Sequence, residues 1–178
     1  MSATREELLR AAADFLGRRP NATQDEIASA IGVSRATLHR HFAGLALMTA
    51  LEELAIAEMG RALDTVRLHE GSATDALRRL VSACEPVSPY LALLYNQSQQ
   101  IDMDTTLEAW QTIDGEITAL FERGQRSGEF RPELTAAWLT EAFYSLIGGT
   151  AWSIQAGRAA ARDFDRLIIG LLLNGVTA

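Results

Sequence analysis

The sequence predicts an all-α fold of about nine helices, with a three-helix head followed by a larger helical body. Three observations predict it. Apolar residues recur at helical spacing along almost the whole chain, with no convincing strand alternation and no repeats. Capping residues stand at the expected helix starts, and Gly or Pro at the stops. Residues 23–42 read as two short amphipathic helices joined by a tight Gly turn, the pattern of a helix-turn-helix. Such a motif holds its second helix out from a small core, where it can enter a DNA major groove.

The first helix is expected over residues 4–17, where Leu8, Leu9, Ala12, Phe15 and Leu16 share a face and Gly17 offers a stop. A loop at Asn21-Ala22 follows Pro20. Thr23-Gln24-Asp25-Glu26 fits a capping box, with the Thr hydroxyl on one orphan N–H and Glu26 reaching back to another. Ile27, Ala28 and Ile31 face inward, and Gly32 sits where a left-handed backbone is wanted. Ser34 caps a third helix running to about His41. Val33, Leu38 and Phe42 anchor it, which leaves Arg35, Ala36, His39 and Arg40 pointing outward.

Residues 45–69 form a long helix, with Met48, Leu51, Ala55, Met59, Leu63 and Val66 at helical spacing. Gly71-Ser72 breaks it. Ser72 to Asp75 reads as a second capping box, opening a helix with Leu77, Leu80, Val81 and Cys84 inward and Pro86 at its end. Ser88 is expected to cap the next helix, with Pro89 in its first position. A further long helix covers 104–127, lined inside by Trp110, Ile113, Ile117, Leu120, Phe121 and Gly124 and stopped by Gly128. Pro132 opens a helix to about 156, and a last one spans about 161–174. A boundary near residue 46 divides the head, 1–46, from the body, 47–178.

The last two helices are apolar on nearly all sides, and a helix apolar all round must be buried all round. In so small a body one face packs inward and the other is expected to meet a second copy of the chain. The candidate interface is Trp138, Phe143, Ile147, Trp152, Phe164, Ile168, Leu171 and Leu172, with Gly148-Gly149 allowing two backbones to approach closely. The alternative is that both helices are simply central.

Charge sharpens the division. Net charge is −7 over 178 residues. Residues 1–50 carry six Arg against five carboxylates, so +1, and the remainder ten against eighteen, so −8. An acidic body on a head with clustered Arg can bind phosphate locally and is repelled from DNA in other orientations. Every basic side chain other than His is Arg. The N-terminus, Met-Ser-Ala-Thr-Arg-Glu-Glu, lacks the apolar core of a signal peptide, and no apolar run is long enough to span a membrane. The lone cysteine, Cys84, allows no internal disulfide and suits a reducing compartment, so a cytoplasmic location is expected.

Residues 23–42 resemble the TetR family of bacterial transcriptional regulators. The matching residues are Thr23, Ile27-Ala28, Gly32-Val33-Ser34, Thr37-Leu38 and His41-Phe42. A weaker match covers Arg123 to Pro132, which looks like the turn between the family's seventh and eighth helices. The resemblance implies a homodimer through the last two helices, a small-molecule effector site in the body, and ligand-controlled binding to a palindromic operator, usually repression. Thr23, Thr37 and His41 match phosphate-contacting positions. Together with Ser34, Arg35, Ala36, His39 and Arg40 they make the candidate DNA-binding set. Arg35 is the candidate base reader, since Arg pairs bidentately with guanine; contact with phosphate alone is the alternative. The candidate effector residues are Tyr90, Tyr95, Met103, Trp110, Phe121 and Phe143, with Gln97, Gln99, Gln100 and Asp114 to orient a ligand. For each aromatic, plain core packing is the competing role. The chain departs from the family at Ala36, commonly Gly, at His39, commonly Tyr, and at Leu45, commonly a Lys that helps hold a phosphate. Arg40, or Arg18 with Arg19, is the expected substitute grip.

No nucleophile–base pair, metal-ligand spacing or phosphate loop is visible, so neither an enzyme nor a cofactor is expected. His39 and His41, two residues apart, do not share a helix face and are not expected to bind zinc. His69, at a helix end, suits the helix dipole. Cys84 reads as a small core residue, with a redox sensor as the alternative. A second function stays open: a ligand- or protein-binding dimer with a degenerate head.

Overall fold

Side-chain caps fix where the head's three helices begin. The computed structural model describes residues 3–19, 21–43, 46–97 and 107–176. Helix α1 (Arg5–Arg18) opens on a capping box between Thr4 and Glu7, and α2 (Gln24–Ala30) on the expected one between Thr23 and Glu26. At the start of α3 (Arg35–His41) the Ser34 hydroxyl accepts from the Thr37 N–H. The body follows as α4 (Ala46–Val66), α5 (Ala73–Cys84), α6 (Ser88–Gln97), α7 (Leu107–Arg126), α8 (Ala136–Gln155), a short 3-10 turn (Ala161–Asp163) and α9 (Phe164–Val176). Among the described residues there is no β-strand.

Several boundaries differ from the sequence expectation, each for a local reason. Helix α4 stops at Val66 rather than 69, with Arg67 in the left-handed region at φ 51°. The Arg79 guanidinium holds that turn by donating to the carbonyls of Val66, Arg67 and Glu70. Ser88 lies inside α6 instead of capping it, because its hydroxyl donates back to the Glu85 carbonyl at 2.7 Å. Helix α8 opens at Thr135, whose hydroxyl accepts from Trp138, and not at Pro132. The intervening residues form a turn that Gln125 pins by donating to the carbonyls of Arg131 and Leu134.

Two apolar cores meet along α4. Its first half contributes Leu47, Ala50, Leu51 and Leu54 to a core shared with Leu8, Ala12 and Leu16 of α1, Ile27 of α2, and Leu38 and Phe42. Its second half contributes Met59, Leu63 and Val66 to the body core around Leu77, Ile117, Phe121, Phe143 and Ile168. Leu93 of α6 packs into the head core, so the body also supports the head directly.

The turn after α7 ties three elements together. Arg123 donates to the carbonyls of Leu68 and Gly71 at 2.7 and 2.6 Å. Ser72 caps α5 as expected, accepting from Asp75, but the carboxylate on the helix's first N–H groups comes from Glu129. Glu129 accepts from Ala73 and Thr74 at 3.0 and 2.9 Å, and these bonds hold its carboxyl down from the ordinary 4.5 to about 2. The lowered value means that its contribution is complete above about 4.5 and is lost as pH falls through about 2. Glu129→Gln is expected to cost about 1–2 kcal/mol at neutral pH, read by urea unfolding, with the gap to the parent closing in acid. A gap that stays constant down to that acid range would contradict the assignment.

Candidate nucleic-acid interface and effector site

The reading head is built from a turn and two anchors. Gly32, at φ 73°, makes the turn between α2 and α3 in a backbone region that side-chain-bearing residues rarely adopt. The Val33 N–H closes it onto the Ala28 carbonyl at 2.9 Å. Leu38 and Phe42, both 1% exposed, lock α3 into the head core. Opposite them, Ser34, Arg35, Ala36, His39 and Arg40 are exposed and Thr37 and His41 are half-buried. Thr23, at the start of α2, is exposed as well. The structure therefore sets every candidate DNA-binding residue at or near the surface of one small motif. Leu45, the departure of most interest, lies outside the described residues.

Several of these groups already have partners. The Thr23 hydroxyl serves its capping box, donating to Glu26 at 2.9 Å. The Ser34 and Thr37 hydroxyls are 2.9 Å apart, and the His41 ring leans on Phe42 with centroids 6.2 Å apart. Arg35 donates to Asp25 at 3.2 Å, a contact across ten residues of sequence that no local motif marks. Basic residues crowd the last turn of α3, at His39, Arg40 and His41, where they suit the negative end of the helix dipole.

In the body, Trp110, Asp114 and Tyr144 come together. The Tyr144 hydroxyl donates to Asp114 at 2.7 Å, and Trp110 meets the Tyr144 ring edge-on with centroids 6.3 Å apart. Burial, reinforced by that hydrogen bond, pushes the Tyr144 phenol upward, so it remains a donor. Tyr144 was not among the expected effector residues; its thirty-residue separation from Asp114 offers no local signal. Tyr90 is half-buried and packs against both cores. Phe121 and Phe143 are fully buried at 0% exposure and belong to the core, as the competing role had it. The Tyr95 and Gln97 side chains, Met103, Gln99 and Gln100 lie outside the described residues. A separate cleft between the α4–α5 turn and α7 is lined by Leu68, His69, Glu116, Ala119, Leu120, Arg123 and Arg126 and contains none of the expected effector residues.

The candidate interface divides into two sets. Trp138, Trp152 and Leu171 are 60%, 42% and 64% exposed. Phe143, Ile147, Phe164, Ile168 and Leu172 are at most 3% exposed within a single chain. These five correct the sequence expectation: they fill the protomer's own core and can only back a contact surface from within. The two glycines divide the same way. A methyl group on Gly148 would meet the Ala92 backbone of α6 at 3.6 Å, an ordinary van der Waals contact inside the protomer, while Gly149 faces open space. Arg158 stacks over the Trp152 ring at 4.5 Å.

Cys84 is buried, with its Sγ 3.8 Å from the Met59 sulfur, and burial pushes its thiol up to about 12. It should not react with a thiol reagent at pH 8 until the protein unfolds; modification of the folded protein within minutes would contradict this. Among the described residues no three His, Cys, Asp or Glu side chains are grouped to hold a metal ion. No helix among them is long and apolar enough to cross a membrane.

No family model matches the chain. It is 33% identical to the HTH-type transcriptional regulator NfxB of Pseudomonas aeruginosa, over 97% of this chain and 94% of that protein. It is 32% identical to the HTH-type transcriptional repressor LfrR of Mycolicibacterium smegmatis, over 90% of this chain and 80% of that one. In three dimensions it is similar to the TetR-like LfrR crystal structure, with a TM-score of 0.66, 23% identity and coverage of 98% and 96% of the two chains. The TetR family regulator PfmR of Thermus thermophilus gives a TM-score of 0.69, with 21% identity and coverage of 94% and 97%. The sequence identity, its span and the helix-turn-helix geometry agree, and the chain belongs to the TetR family of helix-turn-helix transcriptional regulators.

Proposed function

We propose that this DNA-binding regulator acts as a homodimeric repressor that reads a palindromic operator and is released by a small molecule held in its body. The observation that carries the proposal is the outward face of α3, where Arg35, His39 and Arg40 stand exposed while Leu38 and Phe42 fix the helix. Two such faces related by a two-fold axis would meet successive major-groove segments about 34–36 Å apart, or a multiple of that. Trp138, Trp152 and Leu171 supply an exposed apolar surface for the second copy. Residues 1–46 act as the reading head, and 47–178 bind effector and partner. The location follows from the role: a regulator of this kind works in the cytoplasm, and neither catalysis nor a cofactor enters the proposal.

Effector control would pass through the contacts of α1 with the body. A methyl group on Gly17 would stand 3.2 Å from Gln155 at the end of α8 and 3.7 Å from Pro89 at the start of α6. Arg10 of α1 pairs with Glu58 of α4 at 2.7 Å, and Glu58 also meets Arg61 at 2.7 Å. A ligand beside Trp110, Asp114 and Tyr144 touches α7 and α8, and α8 leads directly to Gln155. It switches the protein only by binding the two head arrangements with different affinity.

The test counts protomers on the duplex upstream of the protein's own gene by sedimentation, then repeats the titration with a panel of small molecules. Two protomers per site, released by at least one compound, is the expected result. A stoichiometric complex with a single protomer would overturn the dimer. Failure to bind any duplex at low salt would favour the ligand-binding dimer with a degenerate head.

A further inference from the structure

We propose that Asp25 is a positioning and specificity-determining residue, which holds the Arg35 guanidinium for base reading and away from phosphate. The proposal rests on Arg35 being a base reader. Asp25 is the second residue of α2 and Arg35 the first of α3, so the Gly32 turn brings residues ten apart in sequence face to face. The Asp25 Oδ2 accepts from Arg35 Nη1 at 3.2 Å, with both side chains about two-thirds exposed.

Arginine presents five N–H donors in a rigid planar fork. Reading guanine takes two of them, on O6 and N7. With Nη1 engaged by Asp25, the edge formed by Nε and Nη2 can supply both. An unrestrained arginine on the same helix end would more readily fall onto a phosphate, which adds affinity without sequence information. The Asp25 charge also opposes close approach of a phosphate to that place. Helix α3 has no acidic residue in its own first turn, so Asp25 is the carboxylate that offsets Arg35 at the positive end of the helix dipole. Glu26, its neighbour, is committed to the Thr23 capping box.

So exposed a pair contributes little to folding, and Asp25→Ala should melt close to the parent protein. Its effect belongs in the DNA motif. The full chain, and its Asp25→Ala, Asp25→Glu, Arg35→Ala and double Asp25→Ala/Arg35→Ala variants, would each select from a random-sequence duplex library, followed by titration of single-base variants. The parent is expected to prefer guanine at one position in each half-site. Arg35→Ala should lose that preference. Asp25→Ala should weaken it about tenfold at the same position while affinity for unselected DNA holds or rises. Asp25→Glu should restore part of it, and the double variant should match Arg35→Ala. Asp25→Ala with full discrimination, or with equal weakening at every position, would overturn the proposal. An unchanged motif in Arg35→Ala would overturn it too while leaving DNA binding intact, whereas a parent that selects no motif at low salt would remove the functional reading itself.

Discussion

Replacing Trp138 and Leu171 together by Glu should convert the protein to a monomer and weaken operator binding by at least about 100-fold. Both side chains are more than half exposed, on α8 and α9, while the residues behind them are sealed in the protomer core. The double change therefore removes apolar contact surface and leaves the fold's own packing alone. Burying uncompensated carboxylates in an interface is prohibitive, and two-fold symmetry doubles their number. Loss of the dimer also removes the linkage between half-sites, through which one bound head raises the local concentration of the other. Sedimentation against concentration reads the assembly, and titration of the operator reads the affinity. A variant that stays dimeric would show that a different face mediates assembly.

Gly124→Ala should be the most damaging single methyl in the described structure. That methyl would stand 2.1, 2.4 and 2.8 Å from three ring atoms of Phe130. Phe130 cannot move away cheaply: it is fully buried and lies against Phe121 with centroids 5.9 Å apart. The Gly124 carbonyl also accepts from the N–H groups of Glu129 and Phe130, so the backbone is held against the ring. Overpacking of a tight core costs about 1–3 kcal/mol, and the upper end is expected here. That corresponds to a fall in Tm of roughly 6–12 °C for a chain of this size. Trimming the ring by Phe130→Leu in the same protein should recover part of the loss. A Tm within a degree of the parent would contradict this packing.

Local signals in the sequence carried the head and little of the body's detail. Thr23 with Glu26, Ser34 and Gly32 each act over three or four residues, and each performs the role its spacing predicted. Pro132 misled because a proline permits a helix start without requiring one; Thr135, with a hydroxyl to cap, decided it. An all-apolar helix gives no sign in its sequence of which face meets its own chain, so only the fold separates Phe143, Ile147, Phe164, Ile168 and Leu172, which fill the core, from an interface. Glu129 on α5 and Tyr144 on Asp114 join residues far apart in sequence, where periodicity is silent. Asp25 and Arg35 lie only ten residues apart, yet their pairing depends on the angle of the Gly32 turn, which residue types alone do not specify.

The most direct measurement is the salt dependence of binding between the full chain and the duplex upstream of its gene. If the α3 face grips DNA as described, log K falls linearly with log salt, at a slope of about −0.9 per phosphate neutralised. If Arg40, and not Arg18 with Arg19, supplies the phosphate grip expected of the Lys that Leu45 replaces, Arg40→Ala should make that slope shallower by about 1 for each protomer bound. No binding to any duplex at low salt, or an Arg40→Ala slope equal to that of the parent, would contradict this account of the head.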